Sequence, residues 1–444
     1  MKKLLMTLKK YVRAMVPEQI LLAYHGVIAY TGAAFYGFPS QNMVVIGITG
    51  TKGKTTSANV MYSVLSTTFQ TGLITTANIK IGSNERLNSW HMTMPGRFVI
   101  QKLLREMKDA GVTHVIIETT SEGLKQKRHV GIYYDVAIFT NLSPEHLPSH
   151  NNNYEEYRKA KEVLFASLVK HKKKIPYSLY PTIIVNGDDS EAVHFRKHKA
   201  DKYFSYGVGE SVEVRGTKVI QEGKLLTFSA FGEVYRVNAF GSYFVYNVLP
   251  ALIVAKECGI THEDISFALA HLPVIPGRME VIDEGQNFLV LVDYAHEKLS
   301  MTRLAETIQE LKKENPLSRW IVLLGAEGGG RDKRKRADMG EVVGRMADMV
   351  IISNTDPYEE DEMIIAREIA SYVEQQGKSE EKDYRIVIDR KEGIRRALAE
   401  AKAGDVVTIT GNGSQQFYHR KGEKVPHDDR EVVREILREM GHHR

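Results

Sequence analysis

The run Val44-Val45-Ile46-Gly47-Ile48-Thr49-Gly50-Thr51-Lys52-Gly53-Lys54-Thr55-Thr56 leaves a chain few ways to fold. A β-branched segment enters a glycine-punctuated turn, and a helical stretch to Met61 follows. A buried strand, a glycine turn and a helix N-terminus form a phosphate cradle. The glycines let backbone N–H groups face an anion, and the helix end adds partial positive charge. Lys54 is placed to reach the outer phosphates, and the Thr55 hydroxyl to ligate Mg²⁺. The spacing departs from the strict Walker form: five residues separate Gly47 from Gly53, and Ile48 holds the usual first-glycine position. The expectation is a chain that binds a nucleoside triphosphate.

Beyond this loop, strand and helix patterns alternate. Phe98 to Lys108 reads as an amphipathic helix, and Val112–Ile117, Val136–Phe139 and Ile183–Val185 as buried strands. In open α/β sheets ligands bind just past the C-terminal ends of strands, so Glu118, Asn141 and the loop Pro144-Glu145-His146 are expected to converge on the triphosphate. Alternating apolar residues from Tyr203 to Val237 predict a short antiparallel section. Leu272-Pro273-Val274-Ile275-Pro276-Gly277 reads as a hinge. A second alternation follows, with strands at Phe288–Val292, Trp320–Leu324, Met349–Ile352 and Val406–Ile409. The expected fold is α/β: a P-loop central domain with a mostly parallel sheet at 41–275, then a Rossmann-like doubly wound domain at 276–444.

The net charge of +5 suggests a polyanionic partner until it is located: Lys2, Lys3, Lys9, Lys10 and Arg13 all precede the first acid, Glu18. The remainder balances, so no nucleic-acid partner is implied. The single cysteine, Cys258, excludes an internal disulfide and any multi-cysteine metal site, and it suits a reducing cytosol. Residues 1–40 read as a short basic and apolar element, packed on the body or lying on a membrane surface.

Gly50-Thr51-Lys52-Gly53-Lys54-Thr55-Thr56 resembles the loop of the Mur ligase family, ATP-dependent amide-bond ligases of peptidoglycan precursor synthesis related to folylpolyglutamate synthase. Further stretches match in order: Glu118-Thr119-Thr120-Ser121, Thr140-Asn141-Leu142-Ser143-Pro144-Glu145-His146, Tyr157-Arg158-Lys159-Ala160-Lys161, Pro276-Gly277-Arg278-Met279-Glu280 and Val292-Asp293-Tyr294-Ala295-His296. The MurE type, which extends a UDP-N-acetylmuramoyl-dipeptide by one amino acid, is the most similar. The resemblance implies ATP and Mg²⁺ as cofactors, with one metal on Thr55 and Glu118 and a second on His146. It implies a carbamylated lysine at Lys161, an asparagine near adenine at Asn247, an arginine reaching the nucleotide phosphates at Arg278 and an acid near the ribose at Asp293. It also implies acceptor-peptide contacts at Thr93, Pro95, Ser121, Asn141 and Arg128.

On the amino-acid side the match thins. Diaminopimelate-adding members carry Asp-Asn-Pro-Arg where this chain reads Asn354-Thr355-Asp356-Pro357-Tyr358, so Tyr358 occupies the arginine position. The family's Gly-Lys-Gly-His-Glu becomes Gly411-Asn412-Gly413-Ser414-Gln415, which leaves Gly411 and Gln415 in place of a charged end. A phenol does not replace a bidentate arginine–carboxylate clamp at equal strength, so diaminopimelate is not carried over. The forty residues before the loop are too few for the family's usual UDP-binding domain. The expected protein is a cytoplasmic, monomeric ligase acting on a small peptide precursor and an amino acid. The alternatives are a folylpolyglutamate-synthase-like polyglutamylating ligase and a non-catalytic ATP-binding subunit.

Overall fold

The computed structural model describes residues 17–90, 92–145, 147–168, 173, 175 and 179–443. The basic residues up to Arg13 and His146 lie outside these described residues. The chain forms two compact units interleaved in sequence: 1–145, 149–213 and 250–260 in one, and 146–148, 214–249 and 261–444 in the other.

In the first unit the strands are β1 (Val44–Thr49), β2 (Thr71–Ile74), β3 (Asn78–Ile81), β4 (Asn84–Leu87), β5 (His114–Glu118), β6 (Val136–Phe139), β7 (Thr182–Asn186) and β8 (Lys202–Gly207). They lie side by side in the order β4-β3-β2-β5-β1-β6-β7-β8. From β2 to β8 every pairing is parallel, whereas β3 and β4 run antiparallel at the edge. Every residue of β1, β2, β5, β6 and β7 is buried. That is the pattern of a sheet covered on both faces, and it explains the continuous apolar runs. Gly47 is required here because a Cβ would lie 2.6 Å from Leu164 and 2.9 Å from Tyr134. Its absence lets the helix Tyr154–Ala166 pack directly on β1.

One expectation fails. The antiparallel section does not begin at Tyr203, because β8 pairs parallel to β7 from Lys202 through Tyr206. Period-two alternation of apolar residues in a sequence does not report whether the neighbouring strand runs parallel or antiparallel.

The second unit opens with β9 (Val214–Arg215) and an antiparallel sheet of β10 (Thr217–Glu222), β11 (Leu225–Ala230) and β12 (Glu233–Asn238). The helix His262–Ala270 packs on β12, where His262 meets the Tyr235 ring edge-on. Next come β13 (Glu280–Ile282), β14 (Leu289–Asp293), β15 (Trp320–Leu324), β16 (Met349–Ile352), β17 (Tyr384–Ile386) and β18 (Val406–Thr410), in the order β13-β14-β18-β15-β16-β17. Only β13 is antiparallel. Alternate residues of β15 feed opposite layers. Trp320, Val322 and Leu324 join the core shared with helices Lys298–Lys312, Arg334–Met346 and Glu362–Glu374. Ile321 and Leu323 join the core of Arg390–Ala399 and Asp429–Glu439. This is the doubly wound arrangement. A hairpin, β19 (Phe417–Arg420) and β20 (Glu423–Pro426), follows β18.

Arg390 and Asp429 tie the ends of these strands together. Both side chains are fully buried, and Nε and Nη2 of Arg390 donate to the two carboxylate oxygens at 2.8 and 2.7 Å. Arg390 also donates to the carbonyls of Asn354 and Thr410. Burial alone would raise the Asp429 pKa, but the Arg390 charge and the hydrogen bonds from Arg390 and His427 hold it well below the carboxylate range. The stabilisation is therefore complete above ordinary carboxylate pKa values and is lost as acid protonates Asp429. Asp429→Asn is expected to cost about 3–5 kcal/mol at neutral pH, because it leaves a buried guanidinium uncompensated. Urea unfolding of the two proteins measures it, and a loss below about 1 kcal/mol would contradict this role.

Candidate active site

The register of β1 between its neighbours assembles the first cluster. Ile48 pairs with Glu118 on β5, and Thr49 with Phe139 on β6. The loop that leaves β1 therefore emerges between Glu118 on one side and Thr140-Asn141 on the other, a switch point of the sheet. Gly50 adopts φ +147°, and a Cβ there would stand 2.0 Å from the Thr140 hydroxyl. The loop backbone is pinned from β6. Thr51 N–H donates to the Asn141 carbonyl at 2.8 Å, Lys52 N–H to Asn141 Oδ1 at 2.9 Å, and Thr140 Oγ1 to the Lys52 carbonyl at 2.6 Å. The helix Lys54–Leu65 then begins after Gly53.

On the β5 side, Thr55 Oγ1 donates to Glu118 Oε2 at 2.8 Å, and the same oxygen accepts the Thr76 N–H at 2.9 Å. Thr55 and Glu118 are both buried. Two adjacent hard oxygen donors at the mouth of a phosphate loop are what Mg²⁺ uses when phosphate oxygens and water complete its shell, so the residues fit that ion. Among the described residues no group of three or more His, Cys, Asp or Glu side chains is placed to hold a metal. The second expected ligand, His146, is outside the described set.

Three lysines approach the loop. Lys54 Nζ donates to the Thr51 carbonyl at 2.8 Å, and Lys52 Nζ lies 3.2 Å from Glu145. Lys161, fully buried, donates to the Gly50 carbonyl at 2.8 Å and sits 4.5 Å above the Tyr157 ring. Burial pushes its pKa well below that of an ordinary lysine. The Lys54 cation pushes in the same direction, Glu145 opposes, and Lys52 adds to the depression. Tyr157 is one helical turn before Lys161, and its hydroxyl lies 3.1 Å from Thr51 Oγ1.

The expected acceptor residues are also drawn together. The Thr93 hydroxyl lies 2.7 Å from that of Thr76, which itself contacts Glu118 through its N–H. Arg128 donates to the carbonyl of Met94, the residue before Pro95, and to Gln126 Oε1. Ser121 Oγ lies 3.0 Å from His150 Nε2. Burial, and then the cations of Lys125 and Lys161, push the His150 pKa down to about 4, so the ring is neutral at physiological pH. Thr76, Tyr157 and His150 received no role from the sequence. Only Tyr157 left a signal there: its i,i+4 spacing to Lys161 puts both on one helix face.

The second unit carries the remaining candidates. The Arg278 guanidinium stacks 4.4 Å over the Tyr294 ring, and Gln415 Nε2 lies 3.2 Å from the Tyr294 hydroxyl. Asp293 accepts the N–H groups of Met279 and Ala295 at 2.7 and 2.8 Å, and its carbonyl accepts from Gly411. Asn247 is buried in the first turn of the helix Val245–Glu257, so it is not the cap of that helix. Asp356 Oδ1 accepts the N–H of His419, and burial raises its pKa. The Tyr358 ring stacks on His419 with centroids 5.0 Å apart, and its hydroxyl lies 3.3 Å from Arg331. The arginine position is thus a phenol with a guanidinium beside it. Asn354 Oδ1 and Gln415 Oε1 are buried with no partner among the described residues. Of the basic run Lys333 to Arg336, Arg336 is buried and paired with Glu360 and Glu368, which makes it a packing residue.

Residues 48–255 match the family profile of the Mur ligase middle domain, and residues 277–413 that of the Mur ligase glutamate ligase domain. The chain is 34% identical over 433 residues to a UDP-N-acetylmuramoyl-L-alanyl-D-glutamate–2,6-diaminopimelate ligase of Geobacillus kaustophilus, covering 96% of this chain and 85% of that protein. It is 34% identical over 425 residues to a UDP-N-acetylmuramyl-tripeptide synthetase of a Roseiflexus species, covering 94% and 82%. Among solved structures, a UDP-N-acetylmuramoyl-L-alanyl-D-glutamate–2,6-diaminopimelate ligase aligns with TM-score 0.59 at 25% identity, over 90% of this chain and 79% of that one. A Mycobacterium tuberculosis folylpolyglutamate synthase complexed with ADP and AMPPCP aligns with TM-score 0.69 at 16% identity, over 94% and 95%. That likeness is one of fold.

Proposed function

Because the chain belongs to the Mur ligase family, we propose that it uses ATP to join a carboxylate of a muramoyl-peptide precursor to the amine of an amino acid, in peptidoglycan precursor synthesis. The observation that carries this reading is the convergence of Lys52 and Lys54 with the Thr55–Glu118 pair at the end of β1. A carboxylate and a triphosphate are both anions. Bringing them into contact needs fixed positive charge, and a site of low dielectric makes that charge count.

The chemistry has two displacements. A carboxylate oxygen attacks the γ-phosphorus and the bond to ADP breaks, which gives an acyl phosphate. The amine nitrogen then attacks the acyl carbon, the C–O bond breaks, phosphate leaves with its electron pair, and the nitrogen sheds a proton. Loop N–H groups and Lys54 hold the phosphates, and Lys52 neutralises charge at the γ end. Thr55 and Glu118 would hold Mg²⁺, which supplies charge neutralisation between the phosphates. Thr93, Pro95, Asn141, Ser121 and Arg128 receive the acceptor peptide. Arg278, Asn247 and Asp293 serve the nucleotide. Asn354, Asp356, Tyr358, Gly411 and Gln415 receive the amino acid. We place the functional division of the chain at 275/276, and the reaction in the cytoplasm with the protein acting as a monomer.

The test is phosphate release from purified protein with ATP and Mg²⁺, screening UDP-N-acetylmuramoyl-L-alanyl-D-glutamate against a panel of amino acids. Release that requires the dipeptide and one amino acid together is expected. Release independent of both, or silence while ATP still binds, contradicts the reading. Within the active pair, Tyr358→Phe is expected to raise KM for the amino acid about tenfold, the value of one charge-assisted hydrogen bond, with KM for ATP unchanged. An unchanged amino-acid KM removes Tyr358 from the amine site.

A further inference from the structure

The helix Glu18–Phe35 buries only small residues: Ala29, Gly32 and Ala33. Gly32 packs against Phe98, and Ala33 fills the space beside Gly131. The opposite face is open along the whole helix. Ile20, Ala23, Tyr24, Val27, Tyr30, Thr31, Ala34 and Phe35 are exposed at spacings of three and four, which puts them on one stripe. The large ones are far from shielded, with 60% of Ile20, 62% of Val27 and 76% of Phe35 accessible. Phe98, itself exposed, lies 6.3 Å from Phe35 and extends the patch. The one polar member, Thr31, turns its hydroxyl back to the Ile28 carbonyl. No Asp, Glu, Lys or Arg occurs from Gln19 to Thr51. A solvated helix face of this length ordinarily carries charge, so this one is made to be covered.

Charge says what covers it. The residues just before the helix hold Lys2, Lys3, Lys9, Lys10 and Arg13 without a single acid, interleaved with Leu4, Leu5 and Leu8. An uncharged face with two tyrosines and a phenylalanine, preceded in the sequence by a cationic run, matches the chemistry of an anionic bilayer surface. Exposed aromatic and aliphatic side chains suit the headgroup boundary, and cations nearby in the sequence add attraction to lipid phosphates. Among the described residues no helix is long and apolar enough to cross a membrane, so the contact is one of lying on the surface. We infer that the Ile20–Phe35 face docks this chain on anionic lipid. The inference stands independently of the ligase reading.

Cosedimentation of the full chain with vesicles tests it. Binding is expected to vesicles containing about one-third phosphatidylglycerol and not to phosphatidylcholine alone, with loss in about 0.5 M salt. Val27→Glu, at an exposed position, is expected to weaken binding at least about tenfold. Replacing the five cations with Gln should do the same. Circular dichroism and the thermal midpoint show that both variants fold. Three results would overturn the inference: no binding to phosphatidylglycerol vesicles, binding indifferent to Val27→Glu, or a vesicle-free dimer that Val27→Glu dissociates. The last result would assign the face to a second copy of the chain.

Discussion

Lys54→Ala is expected to lower acceptor-dependent phosphate release about 10²–10³-fold, the cost of removing one preorganised charge from a phosphoryl-transfer site. Lys54 opens the helix after the glycine turn, and its Nζ bonds the Thr51 carbonyl of the same loop. The loop is otherwise held by Asn141 and Thr140, which the substitution does not touch. The fold should therefore persist, with stability changed by about 0.5 kcal/mol or less. Single-turnover kinetics and urea unfolding separate the two effects. Loss of activity with a collapsed unfolding midpoint would make Lys54 structural, and full activity would remove it from the site.

Lys161 carries the second large effect. A buried amine of depressed pKa sheds its proton at a lower pH than an ordinary lysine, so at any given pH more of it is in the nucleophilic neutral form. That form can attack CO₂: the nitrogen–carbon bond forms, a proton leaves, and the product is a carbamate anion. The cations of Lys54 and Lys52, which disfavour the ammonium, favour this anion. Activity is therefore expected to fall in bicarbonate-free buffer and return when bicarbonate is restored, and intact-protein mass should show one added CO₂ under gentle ionisation. Lys161→Ala should lose activity about 10²-fold or more and show no bicarbonate response. Full wild-type activity without bicarbonate, and no mass gain, would contradict the carbamate.

Much of this site is legible in the sequence because its parts sit at strand ends. Val44–Thr49, His114–Glu118 and Val136–Phe139 announce themselves as buried runs. Polar residues just beyond such runs meet when the strands are neighbours. Glu118 reaches Thr55, and Asn141 reaches Lys52, through parallel register alone. His150 and Thr76 were not legible. Each arrives by a loop path, beside Ser121 and Glu118 respectively, and no spacing encodes that. β8 was misread because alternation does not report strand direction. The pairing of Arg390 with Asp429 joins residues far apart in sequence, and neither sits in a recognisable pattern.

The central claim is that a substrate carboxylate is activated by phosphoryl transfer. The most direct measurement supplies the muramoyl-dipeptide with heavy oxygen in its reacting carboxylate and weighs the phosphate released during amide formation. Passage through an acyl phosphate transfers one labelled oxygen to each phosphate, and that is the result expected here. Amide product accompanied by unlabelled phosphate would mean that ATP is hydrolysed without activating the carboxylate, and the account would be wrong.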